Sequence, residues 1–136
     1  MRAVDSGVAI AGFATWHESH EKAREVLQGR PAIAARAMTE TMSVLTRLPA
    51  PHRAPTRLVA SFLRQNFTED PLTLEGAHIA RFLTERVPSL GLSGGALYDA
   101  TIAETARAAG ATLVTLDRRA LPTYERVGCA VLLLDA

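Results

Sequence analysis

Cysteine, lysine and aromatic residues are scarce in this chain of 136 residues: it has one cysteine, Cys129, one lysine, Lys22, and 5% aromatics. A lone cysteine excludes an intramolecular disulfide and a thiolate metal cluster. It lies in the apolar run Gly128-Cys129-Ala130-Val131-Leu132-Leu133-Leu134, where a buried, inert thiol is expected. With so few aromatics, Ala, Leu and Val must fill the core, which favours helices packed closely on a small sheet over a β-sandwich. No apolar run is long enough to span a bilayer, and Asp5 interrupts the apolar N-terminal stretch, so we expect no signal peptide and a cytoplasmic protein. The formal net charge is only +1, which argues against a general polyanion binder. Nearly all positive charge is arginine, the residue that grips phosphate and carboxylate in a bidentate manner. A GC-rich coding sequence gives the same bias, so the arginines alone decide nothing. Length, the absence of repeats or linkers, and an ordinary hydrophobic share of 48% point to one domain over residues 1–136.

Apolar runs alternate with helical patterns from end to end. Short strands are expected at Arg2–Asp5, Ala32–Ala35, Ala111–Leu116 and Ala130–Leu134, with a brief extended segment at Pro71–Leu74. Helices are expected from His17 to Leu27, Met38 to Leu48, Thr56 to Phe67, Ala77 to Val87 (closed by Pro88) and Ala96 to Ala109 (stopped by Gly110), with a shorter one after Arg118. The strands are continuously apolar, as in a parallel sheet covered on both faces. Right-handed crossovers wind such a pattern into an α/β, three-layer αβα domain with a mainly parallel sheet of about five strands.

Four acids stand out within that frame. In an open parallel sheet, sites form beyond the carboxyl ends of the strands. Asp5 and Asp117 each follow an apolar strand directly, so both should project at that edge. Acids placed together repel unless one is protonated or a cation lies between them, and an all-oxygen donor set suits Mg²⁺ or Mn²⁺. Asp99 falls just inside the helix after Gly94-Gly95, where the helix dipole favours a carboxylate. Glu40 falls near the start of the third helix among small and apolar neighbours and needs a partner or a metal. Each also has a plain structural reading: Asp5 as a helix cap, Asp117 as a cap or a partner of Arg119, Asp99 as a solvated first-turn acid, Glu40 as a surface residue.

The segments around these acids, Ala3-Val4-Asp5-Ser6-Gly7-Val8, Met38-Thr39-Glu40-Thr41-Met42-Ser43-Val44-Leu45, Tyr98-Asp99-Ala100-Thr101-Ile102-Ala103-Glu104-Thr105-Ala106 and Leu113-Val114-Thr115-Leu116-Asp117-Arg118-Arg119, resemble the four motifs of the PIN-domain family in order and spacing. In length the chain is similar to the VapC-type toxins of bacterial toxin–antitoxin pairs. The resemblance implies a Mg²⁺- or Mn²⁺-dependent endoribonuclease, the toxin of a type II pair, leaving 5′ phosphate and 3′ hydroxyl ends. It implies Asp5, Glu40, Asp99 and Asp117 as catalytic residues. Asp5, Asp99 and Asp117 would be the direct metal ligands, with Glu40 binding directly or through water. Ser6 and Thr115 would support them, and Arg118 and Arg119, beside Asp117, would hold the RNA backbone, with Arg36, Arg47, Arg53 and Arg64 as weaker candidates. It further implies a VapB-like antitoxin laid in a groove, for which Val8, Ala11, Phe13, Trp16 and the Leu58–Phe67 helix are candidates, and a homodimer. One departure is Gly7, where the family often has Ser or Asn.

Other signals carry less. His17-Glu18-Ser19-His20-Glu21 has its histidines three apart rather than the four a zincin helix needs, and reads as a polar surface helix. His52 and His78 stand alone, and no Gly-Lys-Ser/Thr follows Gly94-Gly95. A response-regulator phosphoacceptor domain would need a lysine at a late strand end, whereas Lys22 lies on an early helix. A structure-specific DNase of the same fold and a non-catalytic PIN-fold binding module are the remaining alternatives.

Overall fold

The computed structural model describes residues 1–68 and 70–134. Four parallel strands form one sheet in the order β2-β1-β3-β4: β1 (Arg2–Val4), β2 (Ala32–Ile33), β3 (Thr112–Thr115) and β4 (Val131–Leu133). Val4 pairs with Ile33 on one side and Val114 on the other, and Val114 pairs with Leu132. Successive strand residues point to opposite faces, yet Ala3, Val4, Leu113 and Val114 are all buried. Both faces are therefore covered, as in a three-layer domain.

The sheet has four strands among the described residues where about five were expected. The Pro71–Leu74 segment contributes a single bridge, Leu72 with Ala34. The Leu72 N–H donates to the Ile33 carbonyl and the Ala35 N–H to the Leu72 carbonyl, both at 2.9 Å. The pairing cannot spread, because Pro71 lacks an N–H and the partner backbone turns into helix at Ala35.

Helices connect the strands. α1 (Ser6–Phe13) follows β1 at once and packs on α2 (His20–Gln28) and α3 (Ala35–Arg47). The α1–α2 approach depends on Gly12, where a Cβ would come within 2.3 Å of the Leu27 side chain. α3 buries Ala37, Thr41 and Leu45 at helical spacing, and α4 (Thr56–Asn66) buries Val59 and Leu63. α7 (Ala96–Ala108) packs small buried residues, Ala100, Ala103 and Ala106, in the layer that meets β3, α3 and α8 (Leu121–Val127). Past its end Gly110 takes φ +70°, the left-handed stop that glycine supplies without strain. Among the described residues, no helix is long and apolar enough to cross a membrane.

α3 begins at Ala35 rather than Met38, and two other helix boundaries differ from expectation for identifiable reasons. Pro88 does not close its helix. α5 (Gly76–Arg81) runs through a π turn (Phe82–Arg86) into α6 (Val87–Leu90), and Gly91 at φ 69° ends it. The wider turn lies where Pro88 cannot supply the usual N–H. α2 begins at His20, not His17, because the His17 ring accepts the Ser19 N–H at 3.0 Å and holds a turn. His20 is buried, with Nδ1 2.8 Å from the Ala11 carbonyl. It is a core residue rather than part of a polar surface.

The residues expected to line a partner groove divide. Val8 and Ala11 are fully buried core. Phe13 is half-buried and packs edge-on against Phe62 at 5.3 Å. Trp16 and Leu58 remain exposed, with the Trp16 ring 4.4 Å from that of His52.

Candidate active site

The winding reverses between β1 and β3. From β1 the chain crosses to β2 on one side; from β3 it crosses to β4 on the other. The crevice beyond the carboxyl ends of these two central strands is where an open sheet can hold a ligand, and both strands deliver an acid to it.

Asp5 comes directly off β1, its N–H held by the Val114 carbonyl at 3.2 Å. It caps α1: Oδ1 accepts the Val8 N–H at 3.1 Å. Oδ2 accepts the Tyr124 hydroxyl at 3.0 Å, and the Thr115 hydroxyl is a third partner. The residue is 3% exposed. Burial pushes its carboxyl above the ordinary range and the charge of Asp117 adds to this, while the bonds from Thr115, Val8 and Tyr124 pull the other way. The cap reading therefore holds for Asp5, at a position on the sheet edge.

Asp117 lies just past β3. Its N–H donates to Thr115 Oγ1 at 3.0 Å, and its Oδ1 accepts the Arg119 N–H at 2.9 Å. Thr115, fully buried, thus accepts from the backbone of one acid while donating to the carboxylate of the other. Arg118 and Arg119 occupy exposed positions next to Asp117.

Glu40 is in the second turn of α3 rather than at its start, because the helix begins at Ala35. Its Oε1 accepts the Ser6 hydroxyl at 2.5 Å, so the partner it needed is the residue after Asp5. Asp99 sits in the first turn of α7. Burial, followed by the charges of Glu40, Asp117 and Asp5, raises its carboxyl to about 6. The helix dipole favours the ionised form, but burial and three neighbouring acids outweigh it.

Acids from four separate stretches thus share one electrostatic neighbourhood, and Ser6 and Thr115 stand against two of them. The donors are carboxylate and hydroxyl oxygens, the chemistry of Mg²⁺ or Mn²⁺. Among the described residues, no group of three or more His, Cys, Asp or Glu side chains is arranged as it stands to hold a metal ion. The donor set fits such an ion by its chemistry and its unrelieved repulsion rather than as a finished cage. At the departure, Gly7, a side chain would begin 3.6 Å from Asp5 Oδ1, at ordinary contact distance.

Sequence reasoning missed Tyr124 and Glu104. Tyr124 is 1% exposed and bonds Asp5 across 119 residues of sequence; nothing local marks it. Burial, then the nearby charge of Asp5, pushes its phenol upward, so it stays a donor. Glu104, buried on α7, accepts Nε and Nη2 of Arg107 at 2.7 and 2.9 Å and is 2.6 Å from His78 Nε2, with Arg86 at 3.4 Å. His78, which stands alone in the sequence, is therefore hydrogen-bonded to a buried carboxylate.

The PIN-domain family model matches residues 3–127. Ribonuclease VapC40 of Mycobacterium tuberculosis is 46% identical over 127 residues, covering 93% of this chain and 94% of that protein. Ribonuclease VapC27 of the same organism is 37% identical over 133 residues, covering 95% and 93%. Among solved structures, a chain of VapBC2 from Rickettsia felis, bound to a DNA fragment from its promoter, matches with a TM-score of 0.67 at 15% identity over 98% of both chains. This last likeness concerns the fold alone.

Proposed function

The chain belongs to the PIN-domain family, in its VapC-type branch, and on that premise we propose that it is a metal-dependent endoribonuclease, the toxin of a type II toxin–antitoxin pair. The observation that carries this reading is the gathering of Asp5 off β1, Glu40 from α3, Asp99 from α7 and Asp117 off β3 at one sheet edge, close enough that the other three raise the Asp99 carboxyl. Such crowding opposes folding and is relieved by a divalent cation. Asp5, Asp99 and Asp117 would hold Mg²⁺ or Mn²⁺, with Glu40 joining directly or through water. When bound, the ion supplies Lewis acidity, acidifying water and neutralising charge on the phosphodiester.

The chain's own groups do the positioning. Tyr124 and Thr115 fix Asp5, and Ser6 fixes Glu40. Arg118 and Arg119 offset the repulsion between an acidic hollow and an RNA backbone. Attack of water in line with the 3′ oxygen leaves 5′ phosphate and 3′ hydroxyl ends.

Kinship to two proteins named ribonucleases supports RNA as the substrate. VapC-type membership supports a small VapB-like antitoxin as the partner and a homodimeric state. The exposed Trp16 and Leu58 offer apolar surface for the antitoxin in place of the buried Val8 and Ala11.

The test is cleavage of RNA by the purified chain with Mg²⁺ or Mn²⁺, with excess chelator, and by Asp117→Asn. Cleavage is expected only with metal and at background level in the variant, whose circular dichroism should match the parent. Undiminished cleavage in chelator, or by Asp117→Asn, would overturn the reading.

A further inference from the structure

Beside the acids lies a cavity of about 340 Å³ that none of them lines. Arg36 comes from α3, Leu97, Tyr98 and Thr101 from the start of α7, and Ile79 and Leu83 from α5 and the π turn. Its composition is mostly apolar and aromatic with one cation. The Arg36 guanidinium lies 4.2 Å from the centroid of the Tyr98 ring. Tyr98 is 55% exposed and Leu83 41%. The Thr101 hydroxyl donates to the Leu97 carbonyl at 2.8 Å, so toward the cavity its oxygen can only accept.

The position of this cavity is more informative than its size. Tyr98 immediately precedes Asp99, and Arg36 lies one helical turn before Glu40. Arg36 also lines a second hollow that continues along α3 past Thr39, Glu40 and Ser43 to Arg47. One side chain thus joins an apolar pocket to a surface track with arginine at both ends, next to the acids.

We propose that the cavity is a nucleobase subsite: a base of the substrate strand beside the scissile phosphate stacks on Tyr98 and Arg36 against Ile79, Leu83 and Leu97, and the backbone follows α3 over Arg36 and Arg47. The proposal rests on the RNA-cleaving reading of the acids. Every base has a π face, and exposed aromatic rings joined to basic residues are the usual platform for single strands. A guanidinium stacked on an aromatic ring keeps its in-plane N–H donors free for phosphate or a base edge. The continuity of the cavity with the α3 track and the acids favours substrate over a second protein copy as its occupant.

The test uses cleavable RNA oligonucleotides in which each nucleotide near the cut is replaced in turn by an abasic unit. For the parent chain, one abasic position should raise KM roughly tenfold, the scale of one lost base–aromatic stack. Tyr98→Ala should show that rise on intact RNA and no further rise at the abasic position, and Tyr98→Phe should restore the sensitivity. Tyr98 is exposed, so truncation should leave the circular dichroism unchanged. Equal response of the parent and Tyr98→Ala to every abasic position would overturn the subsite while leaving the nuclease reading intact. The same response, with Tyr98→Ala changed from dimer to monomer by light scattering, would assign the cavity to an interface between copies and likewise overturn it. A parent chain that cleaves no RNA would overturn both readings.

Discussion

Helix α7 carries two carboxylates that the fold treats in opposite ways. Glu104 is 1% exposed and faces Arg107, His78 and Arg86. Burial alone would raise its carboxyl, but the bonds from Arg107 and His78 and the charges of Arg107 and Arg86 hold it below the ordinary range. Asp99, less than two turns earlier on the same helix, is shifted only by burial and by other acids, and in the opposite direction. The chain therefore has the means to neutralise a buried acid and uses them where only folding is at stake. At the sheet edge it gathers acids instead, which raise the Asp99 carboxyl rather than neutralise it.

The strongest way to break this contrast is at Glu104. Glu104→Ala leaves Arg107, Arg86 and the His78 ring without their common partner and should lower stability by about 3 kcal/mol, read from urea unfolding. Cleavage per folded molecule should persist, since Glu104 takes no part in the acid site. A loss of cleavage without a loss of stability would erase the distinction between the two ends of the helix.

Metal binding sharpens the other side. A proton on Asp99 blocks it as a ligand, so Mg²⁺ affinity by calorimetry should be flat above pH 6 and fall by up to about tenfold per unit below it, with proton uptake on release. The Asp99→Asn variant should lack that slope. Tyr124→Phe removes a donor that stabilises ionised Asp5. It should cost about 1 kcal/mol in urea unfolding and move the acid limb of cleavage to higher pH.

The smallest effect concerns Asp99 without metal. Its folded pKa of about 6 exceeds the ordinary 3.8, so the folded state holds the proton more tightly than the unfolded one. The stabilisation from that proton is complete below about pH 4 and is lost as pH rises through about 6. At pH 7 in chelator, Asp99→Asn should therefore be more stable than the parent by on the order of 1 kcal/mol, allowing for partial solvent screening. Thermal melts across pH 4 to 7 should show the two curves separating over that interval. Equal melts throughout would mean that Asp99 is not crowded.

What could be read in the sequence was what depends on local pattern. Asp5 and Asp117 were legible because a residue that ends a buried parallel strand is delivered to the sheet edge wherever the helices go. Ser6 and Thr115 followed as their neighbours, although the actual pairing, Ser6 with Glu40 and Thr115 between Asp5 and Asp117, needed three-dimensional placement. Glu40 was assigned to the correct helix but the wrong turn, since Ala35 and Arg36 carry no start signal. Tyr124 and the Glu104 cluster were hidden because their contacts cross between elements far apart in the chain. Pro88 misled because a π turn absorbs the missing donor, and Pro71–Leu74 because extended backbone becomes a strand only where a neighbour stays alongside it.

The bond between Tyr124 and Asp5 also has a consequence in time. Synthesis runs from the amino end, so Asp5 emerges from the ribosome long before Thr115, Asp117 and Tyr124 have been made. Until α8 docks, the first acid lacks its Tyr124 partner. The surroundings of the first acid are therefore completed only when the last helix of the chain is in place.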